Sequence, residues 1–168
     1  MVRSSIVALA VGSLLATGAP QVLASSSPRE PVPAGPFSIP AAPEGPCPFE
    51  IDVSIVTNRE YQQVFTDASG NVSRILITGN LVWATTNADT GTTRTWEISG
   101  PATLVPNDDG TLTITARGRS ILFNFNPEFA LLLIGRTVVD AAVRPDGLFD
   151  FTLRSTDGQR QDLCTILA

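Results

Sequence analysis

Few residues in this chain could do covalent or acid/base chemistry. It has no histidine, and all 11 basic residues are arginine. Without histidine there is no Ser-His-Asp or Cys-His nucleophile system, no imidazole acid/base and no histidine metal site. Without lysine there is no Schiff base, no Ser-Lys pair and no phosphate-loop lysine. Cys47 and Cys164 are the only thiols; paired, they leave no thiolate nucleophile. Carboxylate pairs are then the one general acid/base system on offer. Glu50 and Asp52 share one strand face, and Glu97, Asp140 and Asp150 also fall at strand positions. Acids that alternate with apolar residues normally form the solvated face of a sheet. The other acids mostly occupy turn sequences, where water keeps their pKa values ordinary. No catalytic residue is assigned, and an enzyme is the less favoured expectation.

Two short motifs reduce to turns on inspection. Asp89-Thr90-Gly91 matches the catalytic triplet of aspartic proteases, in which two aspartates share a proton. Here no second triplet exists, and polar Asn87 precedes it, so 87–92 reads as a hairpin loop. Asn107-Asp108-Asp109-Gly110 offers oxygens to Ca²⁺ but lacks the alternating acids and terminal Glu of an EF-hand loop. It too reads as a hairpin, and neither metal nor cofactor is expected. Flat aromatics can line a ligand face, which makes Tyr61, Trp83 and Trp96 the ligand-binding candidates. They suit a β core equally, and Trp96 shares its strand face with Ile98.

The elements that must position these residues are strands. Phe49, Ile51, Val53 and Ile55 alternate with Glu50, Asp52 and Ser54, and Ile121, Phe123 and Phe125 alternate likewise. Period 2 with β-branched and aromatic residues marks half-buried strands. From Cys47 onward glycine recurs at 70, 79, 91, 100, 110, 118, 135, 147 and 158, mostly 8 to 12 residues apart. Read as turns, these predict nine or ten short strands. Asn126-Pro127-Glu128 interrupts the long gap; 127–132 could start a helix, or a strand could begin at Leu131. Phe129 to Gly135 is apolar on both faces, as in a buried strand. The expected fold is all-β, an antiparallel meander closing into a β-barrel, with a β-sandwich as the alternative. Cys47 precedes the first strand and Cys164 falls in the expected last one. A bridge between them would close a loop of about 118 residues, nominally about 5 kcal/mol.

Three regions follow. Residues 1–24 read as a signal peptide: Arg3, an uncharged small-apolar run from Ile6 to Ala16, then Val22-Leu23-Ala24 as cleavage site. The run is shorter than the roughly 20 residues of a membrane span, so the mature chain is expected to have none. Residues 25–46 carry seven prolines and read as an extended linker or stalk. Residues 47–168 form the β-domain. Cleavage removes Arg3 and no acid, leaving ten arginines against 16 acids and a net charge of −6. That balance argues against nucleic acid or an anionic membrane as partner.

Cys47-Pro48-Phe49, Asn58-Arg59-Glu60-Tyr61, Gly79-Asn80-Leu81, Ile98-Ser99-Gly100-Pro101 and Asp162-Leu163-Cys164 together resemble a group of small exported actinobacterial β-proteins of unassigned function. The resemblance spans 47–168. It implies secretion or envelope association and a β fold, and it carries over no catalytic residue. The function expected is a non-enzymatic exported β-domain that binds a small apolar ligand, a glycan or an exported protein. The alternatives are a carboxylate-dependent polysaccharide hydrolase and a structural envelope component.

The mature protein is expected to begin at Ser25. N-terminal sequencing of exported material checks this, and released protein that still carries Met1 overturns it.

Overall fold

Period-2 alternation carries most of the chain into extended structure. The computed structural model describes residues 24–125, 128–144 and 149–168. Residues 1–23 of the expected 1–24 signal peptide, Asn126-Pro127 and the expected Pro145-Asp146-Gly147 turn lie outside the described residues. The strands are β1 Ser25–Ser26, β2 Glu30–Pro31, β3 Phe37–Ile39, β4 Ile51–Thr66, β5 Val72–Asn87, β6 Thr93–Glu97, β7 Ala102–Pro106, β8 Leu112–Phe125, β9 Glu128–Val143, β10 Phe149–Thr156 and β11 Gln159–Asp162. A short helix, α1, follows at Leu163–Leu167. The all-β expectation holds, and the stretch after Pro127 is strand.

All strands belong to one antiparallel sheet. Its path runs β1-β4-β5-β7-β8-β9-β10, with β2 and β3 also on β4, β6 on β5 and β11 on β9. The sheet does not close. Among the described residues the outer edge of β4 takes only the N-terminal strands, and the outer edge of β9 takes β10 and β11. Closure into a barrel is therefore corrected. Cys47 and Cys164 are bridged, with Cα atoms 5.4 Å apart, but the bridge does not join paired strands. Cys47 lies in the loop before β4, and Cys164 lies in α1 rather than in a last strand. Asp162 caps that helix, its carboxylate accepting from Thr165 N at 2.9 Å. That cap ends the ladder two residues before Cys164.

The glycines do two jobs, which corrects the reading of all of them as turns. Gly70, Gly91 and Gly110 sit in hairpin turns at positive φ, in open space. Gly79, Gly118 and Gly135 lie inside β5, β8 and β9. Gly100 and Gly158 lie at the breaks between β6 and β7 and between β10 and β11. This second set forms a line across the sheet. Gly79 is registered with Glu60 and Gly118 with Gly135. Gly100 abuts Arg117 O, and Gly158 abuts Ile134 O. From Gly70 to Gly118 turn and bend glycines alternate along the chain, and the strands are about twice as long as expected; β4, β5 and β9 each have 16 residues.

At that line β8 and β9 fold back. Asn124 is registered with Phe129, and Phe151 with Ala141. Twelve residues of straight β9 separate those two points, about 40 Å at 3.3 Å per residue. Yet Asn124 Oδ1 accepts from Phe151 N at 2.7 Å, so the ends of the ladder meet. The inside of the fold is the face of Leu131, Leu133, Thr137, Val139 and Ala141, each no more than 4% exposed. The opposite face of β9, with Ala130 and Leu132, packs into the main core with Ile51 and Val53 of β4, Ile121 and Phe123 of β8, and Leu163 and Leu167 of α1. From 130 to 133, β9 is buried on both faces, as its unbroken apolar run predicts.

The proline-rich 25–46 segment is extended as expected, but it is docked. Its three strands pair successively with Thr66 to Ile51 of β4. Between prolines, Ser27 N donates to Val64 O (2.8 Å) and Val32 N to Glu60 O (3.0 Å). Asn58 Nδ2 returns a bond to Val32 O at 2.7 Å. The prolines lack an N–H and blunt the outer edge against further strand pairing. Ile39 goes further and joins the core.

Gly158→Ala and Gly100→Ala are expected to cost about 3 kcal/mol or more, or to abolish folding, because the new methyl meets backbone carbonyl. Their Cβ atoms would lie 1.7 and 1.9 Å from carbonyl oxygens, whereas Cβ at Gly35 meets nothing within 4 Å. Gly35→Ala is therefore expected to change stability by less than about 1 kcal/mol. Urea unfolding of the three variants checks the contrast; equal stabilities would refute the bend-line account.

Candidate functional site

Where the sheet splits, an apolar cavity opens. The register of β7 with β8 covers Leu112 to Ala116 only, and β6 pairs with β5 alone. Above Ala116, β8 and the β5–β6 pair diverge. Ile121, Phe123 and Phe125, alternating on β8, face into the gap, and Trp83 of β5 forms the other side. Phe37, Ser38, Ile39, Pro40 and Glu44 of the N-terminal segment supply a third wall, and Arg144, Phe149 and Phe151 a fourth. The cavity is open to solvent on one side and has a volume of about 620 Å³.

Ring contacts fix the walls. Phe37 meets Trp83 edge-on at 5.5 Å and Phe123 at 6.3 Å between centroids. Phe149 stacks on Phe151 at 6.1 Å. Phe37 and Phe149 are each 39% exposed and form a rim, beside Val143, which is 61% exposed. The bond from Phe151 N to Asn124 carries β10 to this rim. Polar groups at the cavity are few. The Arg144 guanidinium lies 5.6 Å over the Phe125 ring and meets Asp150 at 3.5 Å. Trp83 Nε1 is buried with no hydrogen-bond partner among the described residues. Glu44 is the only carboxylate among the described lining residues, and it is exposed.

The structure separates the three aromatic candidates. Trp83 lines the cavity. Trp96 is registered beside it on β6, but its Nε1 donates to Thr85 Oγ1 at 2.7 Å and the ring packs on the core. Tyr61 lies further along β4, 41% exposed, with the Arg29 guanidinium 5.4 Å over its ring. Sequence reading missed the phenylalanines and Arg144. Their alternation was visible, but it could not show which β faces meet across a split sheet.

The acids do not converge on the cavity. Glu97 accepts from Asn80 at 3.1 Å, and Asp52 from Ser38 at 2.6 Å. Asp140 accepts from Thr113 at 2.9 Å and pairs with Arg154. Asp150 is held by Arg144. The Asp89-Thr90-Gly91 triplet is a hairpin loop, in which Asn87 Oδ1 accepts from Asp89 N and Thr90 N. Asn87 Nδ2 meanwhile donates to Leu167 O at 3.1 Å, satisfying a helix-end carbonyl. The oxygens of the 107–110 turn serve the hairpin itself, Asp109 accepting from Thr111 N and Oγ1. Asp67 and Asp109 are held below the ordinary carboxyl range by such turn hydrogen bonds.

No protein-family model, curated protein or solved structure matches this chain.

One acid sequence reading passed over is Glu60, half-buried beside the bend at Gly79, where burial raises its pKa. The folded chain holds this proton more tightly than the unfolded chain, so its contribution is full below the unfolded pKa of about 4.3 and is lost as pH rises through the folded value. Glu60→Gln is expected to flatten that fall and to raise stability at pH 7 slightly, by less than about 1 kcal/mol, since half the group stays in water. Urea midpoints from pH 4 to 7 check the sign; a less stable variant at pH 7 contradicts it.

Proposed function

We propose that this chain is an exported, non-enzymatic β-domain that binds a small apolar ligand in the aromatic cavity. The observation that carries the reading is the cavity itself. Its volume falls within the roughly 300–1,000 Å³ of small-molecule sites, and six aromatic rings line it. Such a surface releases water on contact with an apolar ligand, which favours binding at about 25 cal/mol per Å² buried. The walls are set by strand pairing, ring packing and the Cys47–Cys164 bridge, so little ordering is left for the ligand to drive. A hydrolase would need two carboxyls facing one cleft; among the described lining residues the one carboxylate is the exposed Glu44, which favours the binding reading.

Export belongs to the same proposal. A disulfide-bonded β-domain suits an oxidising compartment. Among the described residues no helix is long and apolar enough to cross a membrane. The signal-like N-terminus and the resemblance to small exported actinobacterial β-proteins point the same way.

A neutral apolar fluorophore, N-phenyl-1-naphthylamine, is expected to bind saturably with one site per chain. Phe149→Ala and Phe37→Ala each remove a wall and are expected to weaken it about tenfold, while unfolding midpoints stay close to wild type. Absence of saturable binding, or unchanged affinity in both variants, would sink the cavity as a ligand site.

A further inference from the structure

The apolar walls of the cavity are mostly aromatic. Six of the described lining side chains carry rings, against three that are aliphatic, Ile39, Pro40 and Ile121. The charged groups at the mouth are of both signs: Arg144 pairs with Asp150, and Glu44 is exposed. Ser38 adds a hydroxyl there, already donating to Asp52. The mouth thus favours no one head-group charge, and selection falls to the walls. The Phe37 ring stands at 79° to the Trp83 indole and at 85° to the Phe123 ring. Phe149 and Phe151 lie within 27° of parallel. Strand register holds three of these rings in place: Phe37 opposite Val53, Trp83 opposite Ile55 and Trp96, and Phe123 opposite Ala130.

We propose that the ligand is a flat, uncharged, fused-ring aromatic molecule, held by ring contacts with Phe37, Trp83, Phe123 and the Phe149–Phe151 pair. This deepens the cavity-binding reading and rests on it. An aromatic ring has an electron-rich face and an electron-poor edge, so ring pairs prefer offset-stacked or edge-to-face contact. A flat ring entering between walls at right angles can lie parallel to one and meet the next edge-on. Both contacts are then of a preferred kind, and Phe37 already meets two wall rings edge-on. A saturated ring or chain has no such face and edge, and it gains only from the area it buries. A flexible acyl chain also loses rotational freedom on confinement, which a fused ring system does not have to lose. Phe125 is left out of the contact set because the Arg144 guanidinium lies over its ring.

Displacement of N-phenyl-1-naphthylamine from the intact chain tests this. The competitors are 1-methylnaphthalene and its fully saturated analogue 1-methyldecalin, two liquids with one carbon skeleton. Each is scored by the fraction of its aqueous saturation that gives half-displacement, which cancels their difference in transfer from water. The aromatic compound is expected to act at a roughly tenfold lower fraction than the saturated one, as one or two ring contacts allow. Replacing both Phe37→Leu and Phe149→Leu keeps apolar side chains and removes two rings. That variant is expected to bring the two compounds within about twofold of each other, while it keeps a urea midpoint near wild type and still binds the fluorophore. If the aromatic compound fails to displace, if the saturated one is equal or stronger in the wild type, or if the folded double variant retains the full preference, the aromatic assignment is overturned while cavity binding stands. If the fluorophore itself does not bind, both readings fall.

Discussion

Everything else in this fold depends on a line of backbone-to-backbone contacts too close for a side chain. At Gly79, Gly100 and Gly158 the space a Cβ would fill is occupied by the carbonyl of a neighbouring strand. A strand that must pass that close to its neighbour has glycine as its only option. The line lets 16-residue strands turn sharply while keeping register on both sides of the bend. Without it, β8 and β9 would form a ribbon of about 45–50 Å with one apolar face in water. With it, the ribbon doubles over and buries Leu131, Leu133, Val139 and Ala141.

A sheet bent in this way needs other means to hold its two ends, because its edges do not pair with each other. The chain supplies them at its termini. The proline-rich segment lies along β4, offering N–H groups from Ser27 and Val32 and none from its prolines. The C-terminal helix is held by the Asp162 cap, by the Asn87 contact to Leu167 O and by the bridge to Cys47. That bridge ties the loop entering β4 to the helix leaving β11, so the two terminal elements lock one end of the core together. Chain-entropy reasoning assigns such a long loop about 5 kcal/mol.

The cavity is a by-product of the same geometry. Where β6 leaves the sheet and β8 continues past the end of β7, two strand faces with aromatic residues diverge instead of meeting. The gap is roofed by Phe37 of the N-terminal segment and by Phe149 and Phe151 of β10, which reach it only because the bend brings β10 back to Asn124. A site assembled from four distant parts of the chain is stiff if those parts are stiff. Here each is fixed by strand pairing, ring contact or the disulfide.

The sequence by itself determined that the protein is β-structured, where its hairpins turn at Asp67, Asn87 and Asn107, that Phe129 to Gly135 is an apolar run to be buried, with helix or strand left open at its start, and which residues alternate toward a core. These are local properties: side-chain period, turn chemistry and φ preference act within a few residues. It also excluded histidine- and lysine-based mechanisms by composition, whereas the thiolate was removed only by the Cys47–Cys164 bridge of the folded chain. It could not separate a turn glycine from a bend glycine, since both answer to the same letter and differ only in what lies across from them. The docking of the 25–46 segment stayed hidden because proline-rich composition reports what a chain cannot bury, not what edge it can cover. The helical position of Cys164 and the open edges were settled by long-range packing. So was the cavity. Ile121, Phe123 and Phe125 were legible as one face of a strand, but only the folded sheet decides that this face meets Trp83, Phe37 and Arg144 across a gap, because sequence spacing carries no information about distance between strands far apart in the chain.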